Sequence, residues 1–267
     1  MTTAKTRALR RSAIWDSTVW QRHAAYWPVR AHAAPFVAHA EFPSVEQIDS
    51  ALASASGVRF RTQAPARRRV RGAGPLPPAQ SYDASIVEHG VVPTREGSWH
   101  DLMNALVWAA FPRTKRALHA QQHAFIGEER RLGHPGRRLP AHDALAILDE
   151  GGVCVVAEDA YAEGLASTQD VERALTEGRA RAFVFGHAIY ETLALGGPWP
   201  LVRGVVLARA TLRAGANAAH LAAAEDDAAL LAAADVALAR MLDAGRGPRG
   251  PKDLVCLPPA IVAAHLA

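Results

Sequence analysis

The chain has 267 residues, of which 49% are hydrophobic and 21% are charged. This usage is ordinary for globular proteins and excludes a fibrous or disordered chain, and no run of about 18 apolar residues exists that could form a transmembrane helix. The formal net charge of +4 permits a polyanionic partner but does not require one. We therefore expect a cytoplasmic protein that does not enter membranes.

The N-terminal residues and the two cysteines indicate whether the protein is secreted and disulfide-bonded. The first residues are basic, but polar residues interrupt the segment where a signal peptide would carry its apolar core, so secretion is not expected. We predict a basic tail over residues 1–14 and one α+β domain over residues 15–267. Cys154 and Cys256 lack a CxxC neighbour, which argues against a disulfide framework and predicts two buried thiols.

Aromatic residues are concentrated near the start of the chain. This density predicts a segment anchored to the body of the protein, since exposing so many rings is costly. The aromatic residues are Trp15, Trp20, Tyr26, Trp27, Phe36 and Phe42. Ser44 and Gln47 have the spacing of a capping box and predict a helix that ends near Ala55.

Residues 64–79 are rich in Arg, Pro and Gly and contain very few apolar side chains. This composition predicts an exposed basic loop. The loop is either merely solvated or a nucleic-acid contact, although it lacks the interleaved aromatic residues that stack on bases. After it, Ala84 to Val92 is predicted as a strand that is broken at Gly90 and ended by Pro93.

The segment that follows carries the first candidate site. Ser98 is predicted to cap a helix that ends at Phe111-Pro112. His100, Asp101 and Asn104 fall in or next to its first turn, where free amide groups and the helix dipole favour an anion. Their side chains suit a divalent metal or a proton relay, whereas simple capping explains Asp101 equally well.

A second helix is predicted from Thr114 to about Arg130. His119 and His123 lie one turn apart on it, at the spacing of two zinc ligands, but no acid stands between them, so an exposed polar face is expected. At the start of this helix Arg113, Thr114 and Lys115 combine two cations, a hydroxyl and free amides. They form either a plain helix start or a phosphate- or carboxylate-binding site.

In the second half of the chain, Asp149-Glu150-Gly151-Gly152 separates two apolar runs and predicts a β-hairpin. The two acids are either solvated turn residues or, if the turn folds back on His100, carboxylates for acid–base or metal chemistry. Further helices are predicted over Thr168–Gly178 and Asp226–Asp243, with a strand over Leu201–Ala208.

The run from Ala180 to Leu195 is apolar around a single polar pair and ends at Gly196-Gly197, as a helix would. The pair is His187 and Glu191, spaced by four, so the two side chains either bond each other or share a ligand. Burying them without partners would cost several kcal/mol. The alternatives are an internal hydrogen bond and a catalytic or metal site.

Counting these elements gives about six helices and four or five short strands without steady β-α-β alternation. This pattern favours a helix-rich α+β fold with a small, mostly antiparallel sheet. None of the strong nucleotide, zinc-protease or serine-hydrolase motifs is present.

Three strings stand out along the chain: WHDLMNALVW continued by FPRTK (99–115), DAL running into LDEGG (143–152), and GHAIYE (186–191). Together they resemble the bacterial domain of unknown function 3025 family. The resemblance implies a proteobacterial protein and groups the residues named above, but the family brings no established reaction.

Two hypotheses of function follow. The first is a metal-assisted hydrolase acting on a phosphate-bearing substrate, with a divalent metal held by His100, Asp101 and His187. Catalytic roles would fall to these three and to Asn104, Asp149, Glu150 and Glu191, and the anion would bind Arg113, Thr114 and Lys115. This hypothesis requires His100 and His187 to lie within about 15 Å of each other in one cleft.

The second hypothesis is a non-catalytic module that binds nucleic acid or a protein through its basic surface, with binding that weakens as salt rises. A third, purely structural possibility is that the polar residues form a satisfied internal network that fixes the core.

Overall fold

The computed structural model describes residues 14–63, 81–133, 138–159, 167–213 and 227–266. The basic loop at 64–79 and all but the last residue of the predicted tail lie outside these ranges. Among the helices described, none combines the length and the apolar character that crossing a membrane requires.

Helices form most of the described structure. The α-helices are α1 Trp27–Ala33, α2 Val45–Ser56, α3 Tyr82–His89, α4 Trp99–Ala110, α5 Pro112–Arg131, α6 Pro140–Gly151, α7 Thr168–Thr176, α8 His187–Ala194, α9 Arg209–Arg213, α10 Asp227–Asp243 and α11 Pro259–Leu266. Short 3₁₀ turns cover Val19–Gln21, Ala24–Tyr26, Ala34–Phe36 and Pro251–Asp253.

The strands form two sheets. They are β1 Arg59–Thr62, β2 Val91–Thr94, β3 Gly152–Ala157, β4 Ala180–Val184, β5 Val202–Ala208 and β6 Val255–Leu257. The first two form a parallel pair, and the other four are ordered β4-β3-β5-β6. In this sheet β3–β4 and β5–β6 are antiparallel and β3–β5 is parallel. The helix-rich α+β prediction with a small, mostly antiparallel sheet is confirmed.

The central strand β3 has six residues, all buried, so it lies in the core. Its neighbour β4 is followed at once by α8, and β3 itself directly follows α6. Because β3 and β4 are antiparallel, the end of α6 and the start of α8 lie at the same end of these two strands. Helix α4, nearly all of whose residues are buried, packs against α8 from the other side.

Local capping fixes several predicted helices. The Ser44 hydroxyl accepts a hydrogen bond from the Gln47 amide and the Gln47 side chain returns to the Ser44 amide, which confirms the capping box. Ser98 caps α4 by accepting from the Asp101 amide at 3.2 Å, without the return bond of a capping box, because the Asp101 carboxylate binds Arg95. The N-terminal aromatic segment is anchored as expected, since Trp20 is buried and Trp15 stacks on Trp99.

The predicted strand from Ala84 to Val92 is wrong. Ser81 caps helix α3 through the Ala84 amide, and Gly90, at φ +64°, ends it. Only Val91 onward is extended, and it pairs with β1 in a register that opposes Pro93 to Arg61. The run of β-branched residues favoured a strand, but capping and packing of α3 against α5 determine a helix.

The predicted hairpin at Asp149 to Gly152 is also wrong. These acids belong to the last turn of α6, and β3 begins at Gly152 without a turn between them. Pro140 opens this helix at a position where its missing N–H costs nothing. Leu145 and Leu148 then bury one face against the core.

The predicted helix over Ala180 to Leu195 is half wrong, because its first residues form β4. The helix α8 begins only at His187. Of the two cysteines, Cys154 is buried as predicted and Cys256 is partly exposed.

Candidate functional site

A polar cleft of about 320 Å³ opens where α3, α4, α5 and α6 meet the start of α8. Residues from α4, α6 and α8, the three helices that carry the predicted catalytic residues, line this cleft. The cleft is lined mainly by polar side chains, in contrast to the mostly apolar pockets that bind drug-like ligands. It is therefore suited to a small, polar ligand.

His100 and His187 meet at the floor of this cleft. His100 is the second residue of α4, placed there by the Ser98 cap, and His187 is the first residue of α8. Their Nε2 atoms are 3.1 Å apart, and the rings meet edge to face. Both residues line the one cleft, at a distance well inside the 15 Å that the hydrolase hypothesis requires.

Two glutamates complete the group. The Nδ1–H of His100 donates to Glu191 Oε2 at 2.9 Å, and Glu150 Oε2 lies 3.7 Å from His187 Nε2. His187 and Glu191 thus each contact His100, at different nitrogens of its ring. Ligand atoms of His100, His187 and Glu150 all lie within 4.8 Å of one another, so the three residues could hold a metal ion.

The charge states of the two histidines differ. Burial disfavours the charged form of His100, but the hydrogen bond to Glu191 and the charge of Glu150 outweigh it and raise the pKa of His100. Burial drives the pKa of His187 well below its ordinary value. Burial also raises the pKa of Glu150. These shifts favour the charged form of His100 and the neutral form of His187.

Two glycines allow the chain segments carrying His187 and Glu150 to approach each other. The amides of Phe185 and Gly186 both donate to the Gly152 carbonyl, at 2.9 and 2.8 Å. A Cβ atom at Gly186 would lie 2.6 Å from the Glu150 carbonyl oxygen, which is closer than real contacts allow. Glycine at this position therefore sets the distance between the two candidate ligands.

Asp101 and Asn104 line the cleft but have other partners. Asp101 accepts three hydrogen bonds from Arg95, one from its amide and two from its guanidinium group. Asn104 donates to the Tyr82 hydroxyl at 2.8 Å and accepts from the Lys115 ammonium at 2.9 Å. In the described structure Asp101 is thus neutralised by Arg95 and lies outside the candidate metal group.

Asp149 and Lys115 form a buried ion pair beneath the cleft. Lys115 is fully buried, and its ammonium donates to Asp149 Oδ1. Burial raises the pKa of Asp149, but Lys115, His187 and His119 lower it by more, and the net pKa lies well below its usual range. Asp149 is therefore a permanent anion next to His187, 4.0 Å from its Nδ1.

The predicted anion site at the start of α5 does not form one group. The amides of Arg113 and Thr114 donate to the Asp235 carboxylate of α10, at 3.1 and 2.7 Å. Lys115 points away from them to Asp149. The helix start thus holds an anion that the protein itself supplies, and phosphate binding by these three residues stays a prediction.

Sequence reasoning missed several residues of the cleft. His119 was expected on an exposed face but is buried, and its Nδ1 lies 2.8 Å from Asp83 Oδ1. Tyr82, Asp83 and Arg95 flank the segment predicted as a strand, and no sequence pattern marked them as site residues. The Ser81 cap was the signal that could have placed Tyr82 and Asp83 on a helix.

Comparison with known proteins agrees with the resemblance noted above. The family model described as "Protein of unknown function (DUF3025)" matches residues 70–264. The chain belongs to this family. The match covers every residue of the cleft described above except Gln63, so the cleft is a feature of the matched region. No curated protein and no solved structure matches the chain.

Proposed function

We propose that the cleft binds a divalent metal ion through His100, His187 and Glu150 and that the protein is a metal-assisted hydrolase. The observation that carries this proposal is the convergence of two imidazole Nε2 atoms and a carboxylate within 4.8 Å at the floor of a polar cleft. The family description assigns no reaction, so the proposal depends on this geometry.

The distances support a metal such as Zn²⁺. Two nitrogen ligands about 2.05 Å from a tetrahedral ion are separated by about 3.3 Å, and the two Nε2 atoms are 3.1 Å apart. Glu150 is 3.7 Å from His187 Nε2 and has an exposed side chain, so it can close the remaining distance by rotation. Three protein ligands with one open position are typical of catalytic zinc sites.

Glu191 supports the same interpretation from outside the group. Histidines that bind metals usually donate their second ring nitrogen to a carboxylate or carbonyl, which fixes the ring and the tautomer. His100 does this through Nδ1 to Glu191, leaving Nε2 for the metal. A metal bound here would supply Lewis-acid chemistry to a substrate in the cleft.

The rim of the cleft favours an anionic substrate. Arg95 and Arg138 line the cleft, and their side chains are 58% and 56% exposed. Asp101 takes the Nε–H and one Nη2–H of Arg95, so a phosphate would bind the remaining guanidinium hydrogens, which favours a phosphate-bearing substrate over a neutral one. A volume of about 320 Å³ suits a small molecule rather than a polymer segment.

The alternative of a nucleic-acid- or protein-binding module gains no specific support. Its main element, the basic loop, lies outside the described residues. Of the second cationic cluster, Lys115 is buried and unavailable to a partner.

Hydrolysis of simple phosphoesters tests the proposal. The purified protein is incubated with 4-nitrophenyl phosphate and bis(4-nitrophenyl) phosphate in Zn²⁺, Mn²⁺ or Mg²⁺, and then with excess chelator. We expect metal-dependent release of 4-nitrophenolate that is lost in His187→Ala and retained in His123→Ala, a histidine outside the cleft. Metal binding without hydrolysis of either ester would reject the hydrolase and leave only the metal site.

A further inference from the structure

A further histidine lines the cleft outside the candidate metal group. His119 of α5 is 2% exposed, and its ring stacks on Trp108 with centroids 5.4 Å apart and planes 7° apart. Tyr82 packs against the ring edge at 5.6 Å. Because its Nδ1 is also held by Asp83 at 2.8 Å, the ring has a single well-defined orientation.

The second ring nitrogen of His119, Nε2, makes no hydrogen bond to any described residue, although it is buried. Asp149 Oδ2 is 4.0 Å away, which is too far for a direct hydrogen bond but leaves room for a water or hydroxyl oxygen to bridge the two. A buried polar atom without a partner costs about 1–3 kcal/mol, so its presence beside a cleft calls for a ligand.

The hydrogen bond to Asp83 determines what Nε2 can do. A carboxylate accepts only, so Nδ1 carries the proton and the neutral ring keeps a lone pair on Nε2. The titratable groups that face the ring are Asp83 and Tyr82 from α3 and Asp149 from α6, and Asp149 is itself paired with Lys115. An imidazole that is oriented by a carboxylate and lines a cleft with its second nitrogen unpartnered has the arrangement of a general base.

We infer that the Asp83–His119 dyad is the proton acceptor of the cleft, with His119 as a catalytic residue and Asp83 as a positioning residue. This inference rests on the proposed function. In the hydrolysis of a phosphoester, a water O–H bond breaks as its oxygen bonds phosphorus, and the proton moves to Nε2. The bond from phosphorus to the leaving oxygen breaks with its electron pair, 4-nitrophenolate departs as an anion, and Nε2 returns the proton to solvent.

The tautomer of His119 tests the dyad without requiring turnover. Nitrogen-15 NMR of imidazole-labelled protein at pH 8 is expected to show His119 with a proton on Nδ1 and a bare Nε2. In Asp83→Ala this preference should be lost. A wild-type ring that carries its proton on Nε2 would overturn the inference, because that nitrogen could not accept a proton.

Kinetics separates the dyad from the metal site. In metal-loaded His119→Gln, kcat for bis(4-nitrophenyl) phosphate should fall by about 100-fold or more with unchanged metal content. His123→Gln, one turn further along α5, is the matched control and should keep wild-type kinetics. Full activity of His119→Gln would overturn the inference. Absence of turnover in the wild type would instead refute the proposed function, and the NMR result would then decide whether the Asp83–His119 dyad exists.

Discussion

The Nε2 atoms of His100 and His187 lie 3.1 Å apart although 87 positions separate the two residues in the chain. Packing of α4 against α8 brings them together, and Glu191 on α8 holds the far side of the His100 ring. The partly buried His100 and the buried His187, each close to a carboxylate, are the core of the cation site that we propose. The predictions below test how this site is built.

Glu191→Gln should weaken metal binding while leaving the fold intact. The variant keeps the size of the side chain but loses the negative charge that orients and polarises His100, and loss of such a partner typically lowers metal affinity by about 10–100-fold. Competition with a chromophoric chelator measures the change. Wild-type affinity in this variant would show that Glu191 has no role in metal binding.

Gly186→Ala should disrupt the contact between the segments that carry His187 and Glu150. The added Cβ would meet the Glu150 carbonyl oxygen at 2.6 Å, so the segments must separate. We expect a loss of stability of about 1–3 kcal/mol together with weaker metal binding. Gly127→Ala on α5, where the added Cβ meets nothing within 4 Å, is the control and should be neutral or slightly stabilising. Equal behaviour of the two variants in urea unfolding would contradict this account.

Lys115→Met should destabilise the protein strongly. The substitution leaves the Asp149 carboxylate buried without the ammonium that neutralises it, and breaking a buried ion pair in this way costs about 3–5 kcal/mol. Adding Asp149→Asn to the variant should recover part of the loss. The exposed Arg30→Met serves as control and should change the free energy of unfolding by less than about 0.5 kcal/mol. A loss below about 1 kcal/mol in Lys115→Met would show that the pair is not isolated from water.

Asp49 should make stability depend on pH in the acid range. Burial raises the pKa of Asp49, but hydrogen bonds from Arg59 and Arg61 outweigh it and bring it to about 2. Because this pKa is depressed in the folded state, the stabilisation is complete above about pH 4 and disappears as the pH falls through about 2.

Asp49→Asn should therefore cost about 1–2 kcal/mol at pH 7, a modest value because both arginines are half exposed and screened by solvent. The difference from wild type should narrow as the pH approaches 2, as urea unfolding at several pH values would show. The exposed Glu172→Gln is the control. A difference that stays constant between pH 7 and about pH 2.5 would refute the assignment.

Much of the fold follows from local signals in the sequence. Ser44 with Gln47 and Ser98 with Asp101 fixed the starts of α2 and α4, because a side-chain cap is a contact between residues three positions apart. The errors arose where tertiary packing decides. The apolar run after Ala180 suits a buried strand or a buried helix equally well, and only its pairing with β3 makes it a strand.

Some residues of the candidate site could be predicted from the sequence, and others could not. Polar residues inside apolar elements identified His100, His187 and Glu191, since burial without partners is costly. Asp149 and Glu150 were placed on a turn, although they end a helix that delivers them to the same cleft. His119 was missed, because its burial depends on Trp108 and Asp83, neither of which is near it in sequence.

Calorimetric titration of Zn²⁺ into the metal-free protein tests the central claim most directly. We expect a single tight site in the wild type and in His123→Ala, and binding weakened by about 100-fold or more in His100→Ala, His187→Ala and Glu150→Gln. Circular dichroism of each variant confirms that it is folded. Undiminished Zn²⁺ binding in all three folded variants would contradict the claim that these side chains hold the metal.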